Sequence, residues 1–317
     1  MLTIATIGTS VITRSFADAV SRVPDVQIGS VYSRDAARAA AFAAELGVAD
    51  SESDLAALLA DPAIDAIYVA SPNSVHAAQA AQALRAGKHV IVEKPAVTEI
   101  DDWDELVALS KQHGVVLLEA IRTRFDPGLA AVRDVLPQLG QLRRVMLRYE
   151  KRSSRYDLVL AGETPNIFDP RLGGGALRDL GIYCIHALIA LVGAPESVVA
   201  AAVRLPTGAD GLGTIVGSYP GFIADLHFSK ITTPDQPSVI EGENGILMID
   251  EIDGPRTLTL VLNGAEPRTI VVEGPTNVLE SEVHRFAALV AGQDDADADN
   301  AATRAALQLI EAAARAF

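Results

Sequence analysis

Thiols are nearly absent from this chain. Its one cysteine, Cys184, excludes a disulfide framework or a thiolate metal site within the chain and fits a reducing cytoplasm. Positive charge is scarce as well. Lysine and arginine total 26 against 41 aspartates and glutamates, a formal net charge of -15. No basic stripe with interleaved aromatics occurs, so nucleic acid and anionic membrane surfaces are not expected partners. The acidic excess favours solubility, and an anionic ligand would need locally placed cations. Long apolar runs are also missing: none approaches the ~20 residues of a membrane span. The start, Met1-Leu-Thr-Ile-Ala-Thr-Ile7, has no basic segment or long apolar core and reads as a first strand.

What remains is an ordinary globular composition, 49% hydrophobic and 21% charged over 317 residues, long enough for two domains. Residues 1 to about 120 alternate short apolar strands with helical patterns. Strands are expected at 2–7, 26–32, 66–70, 89–92 and 115–118, and helices at 13–21, 35–46, 53–60, 74–86 and 101–113. Strict alternation of buried-type strands with helices predicts a doubly wound parallel sheet. The pattern then changes. A helix at 128–136 and a strand at 143–150 precede an irregular segment and a helix at 176–192. Residues 196–273 read as consecutive strands with turn signals at Asp253-Gly254 and Asn263-Gly264. Two helices, 278–291 and 300–316, close the chain. The fold class is therefore α/β, with a first domain over 1–121 and, over 122–317, an α+β domain with a mostly antiparallel open sheet. The acidic run 294–300 lacks the loop glycine and closing glutamate of an EF-hand and reads as a solvated turn capping the last helix; no metal site is expected.

Candidate functional residues gather at strand ends. Ligands bind beyond the carboxyl ends of the strands in such sheets. The fourth strand runs into Glu93-Lys94-Pro95, placing a carboxylate, an ammonium and a proline there. An X-Pro bond is compatible with the cis form. The first strand runs into Ile7-Gly8-Thr9-Ser10-Val11-Ile12-Thr13, the position of a dinucleotide fingerprint, but Ser10 and Thr13 stand where its second and third glycines would be. The second strand ends at Tyr32-Ser33-Arg34-Asp35. An arginine there suits the 2′-phosphate of NADP, so NADP is preferred over NAD, with Asp35 as a helix cap. Ser71-Pro72-Asn73-Ser-Val-His76 follows the third strand and would line the same crevice. Asn73 caps the next helix, or both caps it and touches the cofactor. Far along the chain, Gly173-Gly-Gly-Ala-Leu-Arg-Asp179-Leu-Gly-Ile-Tyr183-Cys-Ile-His186 is a glycine loop feeding a helix on which Asp179 and Tyr183 share a face.

The strand-end Glu-Lys-Pro, the Ser-Pro-Asn-x-x-His turn and the Gly-Gly-Gly-x-Leu-x-Asp-x-Gly-x-Tyr helix, in this order, resemble the glucose–fructose oxidoreductase / inositol dehydrogenase / MocA (Gfo/Idh/MocA) family. The stretch Glu119-Ala-Ile-Arg-Thr-Arg-Phe-Asp-Pro127 adds to it, and the Asp179/Tyr183 pattern is most similar to the dimeric dihydrodiol dehydrogenase branch. The resemblance implies a Rossmann domain followed by a substrate-binding and dimerisation domain, whose open sheet commonly makes a homo-oligomer, a dimer or a tetramer. It implies hydride transfer between a nicotinamide and a carbinol or carbonyl of a sugar, polyol, diol or related small molecule.

By position, Lys94 contacts the reacting oxygen and the cofactor, Tyr183 is the acid/base residue, and Asp179 orients substrate. Gly8, Thr9, Ser10, Val11, Ile12, Ser33, Arg34, Ser71, Pro72, Asn73, His76, Glu93, Lys94 and Arg122 are expected to hold the cofactor. Lys94, Arg122, Asp179, Tyr183 and His186 are expected at the substrate. A lysine close to a phenol lowers its pKa from about 10 toward working pH. Arg122 stands where the branch tends to have tryptophan and suits a carboxylate or phosphate on the substrate. The segment Lys151-Arg-Ser-Ser-Arg-Tyr156 adds cations near the expected mouth. His186 either contacts substrate or faces the core. A rival expectation from another class is a non-catalytic NAD(P)-binding sensor or regulator on the same fold. A third is glycoside cleavage by transient oxidation.

Overall fold

The computed structural model describes residues 1–317, which divide into two compact units. The first unit holds 1–120 and 275–304; the second holds 121–274 and 305–317. The expected second domain ran unbroken from 122 to 317. The structure instead returns Pro275–Arg304 to the first unit, because that segment finds its partners there. Asn277 donates to the Ser15 carbonyl at 2.8 Å, the fully buried Trp103 donates its indole N–H to the Asn300 carbonyl at 3.2 Å, and Arg304 pairs with Asp104 at 2.8 Å.

In the first unit the chain runs β1 (Leu2–Ile7), α1 (Val11–Arg22), β2 (Val26–Tyr32), α2 (Ala36–Leu46), β3 (Asp50–Glu52), α3 (Leu55–Ala60), β4 (Ala66–Val69), α4 (His76–Arg85), β5 (His89–Glu93), α5 (Ile100–His113) and β6 (Leu117–Ala120). The strands form one parallel sheet in the order β3-β2-β1-β4-β5-β6, with Ile4 beside both Ile28 and Ala66. That is the Rossmann order, and it reverses between β1 and β4. The sequence pattern lacks β3: a three-residue strand of Asp, Ser and Glu carries no apolar signal. Strands β4 to β6 are buried along their length except for His89 at the start of β5, as expected for strands covered on both faces. Gly47 and Gly114 end α2 and α5 in the left-handed conformation, as their positions predict. Helix α3 is capped by Asp54, whose carboxylate accepts from the Ala56 and Ala57 amides.

The second unit begins with α6 (Arg122–Phe125), α7 (Pro127–Val135) and β7 (Leu142–Glu150), followed by a short α8 (Tyr156–Leu160) within the segment expected to be irregular. The expected helix at 176–192 is two structures. Leu177–Gly181 is wound as a π-helix, and α9 (Ile182–Val192) continues from it. Then come β8 (Ser197–Arg204), β9 (Asp210–Tyr219), β10 (Phe222–Ser229), β11 (Ser238–Gly242), β12 (Gly245–Ile249), β13 (Thr257–Leu262) and β14 (Arg268–Val271). Eight strands form one sheet, β14-β13-β12-β11-β7-β10-β9-β8, antiparallel except for the β7–β10 pair.

Its buried face carries Val145, Leu147, Ile215, Ala224, Leu226, Phe228, Ile240 and Leu247, in one core with the apolar residues of α9. Glycine at 213 and 181 permits the close approach: a Cβ at Gly213 would sit 2.7 Å from the Phe228 ring and one at Gly181 3.0 Å from it. Residues 170–192 are apolar and long enough, by composition alone, to cross a membrane, which the sequence reading did not register. The hydropathy belongs to a core helix, since 67% of that window is buried. Two helices close the chain, α10 (Glu280–Val290) and α11 (Asp297–Ala314). The acidic run before α11 is pinned by Arg285, which pairs with both Asp294 and Asp299.

Candidate active site

The first unit gathers four loops at the carboxyl ends of its strands. After β1, Gly8 has φ +119°, and a Cβ on it would lie 2.3 Å from the Ala70 carbonyl oxygen just beyond β4. Glycine is therefore required where the two strand ends draw together, at the point where the strand order reverses. Ser10 caps α1, with its hydroxyl and amide each 3.4 Å from the Thr13 hydroxyl. Thr13 is fully buried, so it occupies the third glycine position by turning its hydroxyl back on the cap. Ser10 and Val11 are exposed and Thr9 and Ile12 partly so, leaving the first turn of a twelve-residue helix open at its positive end. The turn thus fits a dinucleotide pyrophosphate even though two fingerprint glycines are replaced.

At the end of β2, Ser33 accepts from the Asp35 amide at 3.3 Å, and Asp35 caps α2 by accepting from the Arg38 amide at 3.1 Å. Arg34 is exposed. Arg38 belongs to none of the sequence motifs. Its Nε donates to the Thr9 hydroxyl at 2.6 Å, so a second guanidinium is held between the β1 and β2 loops. The available signal was its place on the first turn of α2, because helical side chains lean toward the N-terminus.

At the end of β5 the Lys94–Pro95 bond is cis. The Glu93 carboxylate was expected at the cofactor. In the structure it is buried: one oxygen accepts from the Tyr68 hydroxyl at 2.6 Å and the other from the Lys94 amide at 3.2 Å. Tyr68 is stacked on Phe16, and Lys94 itself is half-buried. Glu119 at the end of β6 is buried and accepts from the Ala96 amide at 2.9 Å, fixing the chain beyond the proline.

His76 was also expected at the cofactor. It is buried, with Nε2 2.8 Å from the Ser71 carbonyl and Nδ1 3.0 Å from the Pro95 carbonyl. It ties the β4 loop to the β5 loop from behind. A neutral imidazole carries one N–H, so it donates to one carbonyl at a time. Burial pushes its pKa down, against the pull of the two carbonyls and of Glu119. On the β4 loop, Ser71 donates to Gln79 at 2.6 Å, Pro72 is exposed, and Asn73 opens the short 3₁₀ turn leading into α4.

The second unit builds its own cluster around the π-helix and α9. Asp179 and Tyr183 lie one turn apart. The Tyr183 ring meets Tyr149 of β7 edge-on at 5.1 Å, and the Arg122 guanidinium lies 4.9 Å from its centroid. Arg122 pairs with Asp253 and donates to the Tyr149 hydroxyl at 3.4 Å. Burial opposes its charge, but Tyr183, Asp253 and Tyr149 more than offset this and hold the guanidinium above its ordinary range. The Arg122 guanidinium, expected at the cofactor and substrate, faces the Asp253 carboxylate in this structure. Burial, reinforced by Asp253 and opposed by Arg122, pushes Tyr149 up. His186 faces the core and is fully buried. Asp179 is paired with Lys230, a residue that no motif singled out. In the cationic segment at 151–156, Arg152 is occupied by Asp157 at 2.6 Å and lies over the Tyr156 ring.

Residues 2–120 match the model of an oxidoreductase family with an NAD-binding Rossmann fold, and residues 135–248 match the Gfo/Idh/MocA C-terminal domain. The chain is 38% identical over 290 residues to scyllo-inositol 2-dehydrogenase (NADP(+)) of Bacillus subtilis, covering 92% of this chain and 88% of that protein. It is 30% identical over 265 residues to mouse trans-1,2-dihydrobenzene-1,2-diol dehydrogenase, covering 81% and 77%. A 3-ketoreductase from Actinomadura kijaniata, solved with NADP and TDP-benzene, shares the fold with a TM-score of 0.89 at 23% identity, covering 99% of this chain and 97% of that one. The chain belongs to the Gfo/Idh/MocA family and is an NAD(P)-dependent oxidoreductase.

Proposed function

We propose that this protein is an NADP-preferring dehydrogenase or reductase that moves a hydride to or from a CH–OH carbon of a sugar, polyol, diol or related hydroxy/keto compound. The observation that carries this is one helix face: Tyr183 lies under a half-buried guanidinium with Asp179 one turn away. The similarity to a scyllo-inositol 2-dehydrogenase makes cyclitols the first class to try. Gly8 to Ile12 would hold the pyrophosphate, and Ser33 and Arg34, joined by Arg38, the 2′-phosphate. The bound nicotinamide supplies or accepts the hydride.

The remaining chemistry falls to this chain's side chains. In the direction of reduction, Tyr183 gives its phenolic proton to the oxygen that gains charge; in oxidation it takes that proton back. Lys94 stabilises the charged oxygen as a donor. Asp179 accepts from a neighbouring substrate hydroxyl and sets its orientation. A cation beside a phenol favours the phenolate. Arg122 over the Tyr183 ring supplies this influence alongside the role given to Lys94. A positioned acid/base of this kind contributes about 10²–10⁴ in rate.

The second unit would also carry assembly into a homo-oligomer. Met146, Val216, Val239 and Met248 lie on the opposite side of its sheet from the α9 core, with Val199 on the same face 68% exposed. Light scattering that finds only monomer at micromolar concentration would remove this part.

The test of the whole is a fluorescence titration with NADPH and NADH, followed by turnover of scyllo-inositol with NADP. Lys94→Met and Tyr183→Phe should keep NADPH binding and lose turnover by about 10²–10⁴. Undiminished turnover in Tyr183→Phe would take the proton role away from Tyr183. Binding with no redox change across inositols, sugars, diols and ketones would favour the sensor.

A further inference from the structure

We propose that Lys230 is a positioning residue that grips the Asp179 carboxylate from behind and fixes it, ionised, for a substrate hydroxyl. This rests on the role given to Asp179 above.

Lys230 directly follows β10 and is 2% exposed, an unusual place for a lysine. Its backbone is fixed on both sides: its amide donates to the Gly211 carbonyl at 2.8 Å, and its carbonyl accepts from the Ser153 amide at 2.8 Å. The side chain spans from the sheet to the π-helix. Its Nζ ends on the Asp179 carboxylate, with the Ile167 carbonyl at 3.5 Å and the Phe168 ring centroid at 5.1 Å. A carboxylate, a carbonyl oxygen and the face of an aromatic ring all favour a cation, which is what a buried ammonium needs to stay charged.

Asp179 differs in exposure. Its side chain is 38% exposed, so the carboxylate is held by Lys230 on the protein side and still reached by solvent. The segment that presents it is held just as firmly. The Leu177 amide donates to Asp210 at 2.6 Å, and the Asp179 amide to the Gly175 carbonyl at 3.3 Å. The π-winding of Leu177–Gly181 sets where Asp179 stands relative to the Tyr183 turn. A carboxylate tied to an ammonium is a strong acceptor and a poor proton donor. Lys230 therefore assigns orientation to Asp179 and leaves proton transfer to Tyr183. The ionisable groups on the π-helix side of the elements packed against it are Lys230 after β10, Asp210 on β9, Tyr149 on the inner face of β7, and Tyr183, Cys184 and His186 on α9, with Arg178 on the turn itself; Asp225 and His227 of β10 and Arg144, Arg148 and Glu150 of β7 alternate to the other face of the sheet.

The test combines a direct titration with kinetics on the full-length enzyme. Aspartate labelled at its carboxyl carbon is followed by NMR from pH 2.5 to 8, with the Asp179 signal assigned by its loss in Asp179→Asn. Lys230→Met should move that signal's midpoint up by about 1–3 pH units, because a neighbouring cation is lost. Lys230→Arg should leave it near wild type. With scyllo-inositol and NADP, Lys230→Met should raise KM and lower kcat/KM as far as Asp179→Asn does, and adding it to Asp179→Asn should change little more.

An unmoved midpoint in Lys230→Met would overturn the proposal. So would a wild-type Asp179 that titrates no lower than an aspartate in a short peptide, a result that needs no variant to fold. A full midpoint shift together with unchanged kinetics in Asp179→Asn would overturn the role of Asp179 instead, which separates the two failures.

Discussion

The guanidinium of Arg122 lies over the ring of Tyr183, 4.9 Å from its centroid, and it is held there by Asp253 from a loop 131 residues away. A cation on a π-face gains about 0.5–1 kcal/mol at exposed sites and about 2 kcal/mol or more when desolvated.

Breaking this arrangement from one side should be worse than removing it whole. The Arg122 and Asp253 side chains are only 18% and 11% exposed. Arg122→Met leaves a buried carboxylate uncompensated and should cost about 3–5 kcal/mol in urea unfolding. Arg122→Met combined with Asp253→Asn should recover much of that loss. Additive losses in the double variant would show that the two residues stabilise the fold independently.

Discrimination between the two nicotinamide cofactors should depend on two arginines. A charge-assisted hydrogen bond contributes about 1.5–3 kcal/mol, so Arg34→Ala and Arg38→Ala should each weaken NADPH binding about tenfold or more and leave NADH nearly unchanged. Arg38 is the sharper case, because its guanidinium is already anchored on the Thr9 hydroxyl. An equal loss for NADH would place Arg38 in loop support alone. Fluorescence titration of both cofactors decides between these outcomes.

Gly8 should tolerate no side chain. Gly8→Ala forces a Cβ to within 2.3 Å of the Ala70 carbonyl at a φ of +119°. Such strain is of order 1–3 kcal/mol. Relieving it would part the ends of β1 and β4, so NADPH affinity should fall together with the unfolding midpoint. A stable Gly8→Ala variant with wild-type NADPH affinity would sink the claim that this approach shapes the site.

Acid should loosen the brace between the β4 and β5 loops. Burial depresses the pKa of His76, and the half-buried His89 and His227 shift the same way. Below the ordinary value of 6.5 the unfolded chain takes up protons that the folded chain refuses. Stability is therefore complete above that pH and declines as pH falls through it toward the depressed folded value. Urea midpoints at pH 7.5 and 5.5 should show the drop, and His76→Asn should flatten part of it. A midpoint that rises on acidification would mean that the Ser71 and Pro95 carbonyls outweigh burial.

The first sheet was legible because its strands are covered on both faces and so read as short apolar runs between helices. Where a strand is short and polar, as at Asp50–Glu52, that signal vanishes. Glu93-Lys94-Pro95 and the Asp179/Tyr183 face announced themselves through residue type and spacing. Their supports did not. Lys230 and Arg38 are single charged residues outside any motif, and Asp253 read only as part of a turn; what makes them matter is a partner distant in sequence. Arg122 shows the reverse: its chemistry was legible and its pairing with Asp253 was not. Nor does helical periodicity reveal which unit a helix will join, which is why Pro275–Arg304 was expected with the second domain.

That return path has a consequence for how the protein comes into being. On a ribosome, residues 1–120 emerge first, yet the strip that seats Trp103 and closes over α1 is synthesised only after the whole of 121–274. At roughly 5–20 residues per second, the nucleotide-binding unit stands incomplete for about 10–30 s while its neighbour is being made. The first unit to be begun is thus among the last to be finished, and a fragment cut after β6 would be a half-closed sheet with its tryptophan face bare.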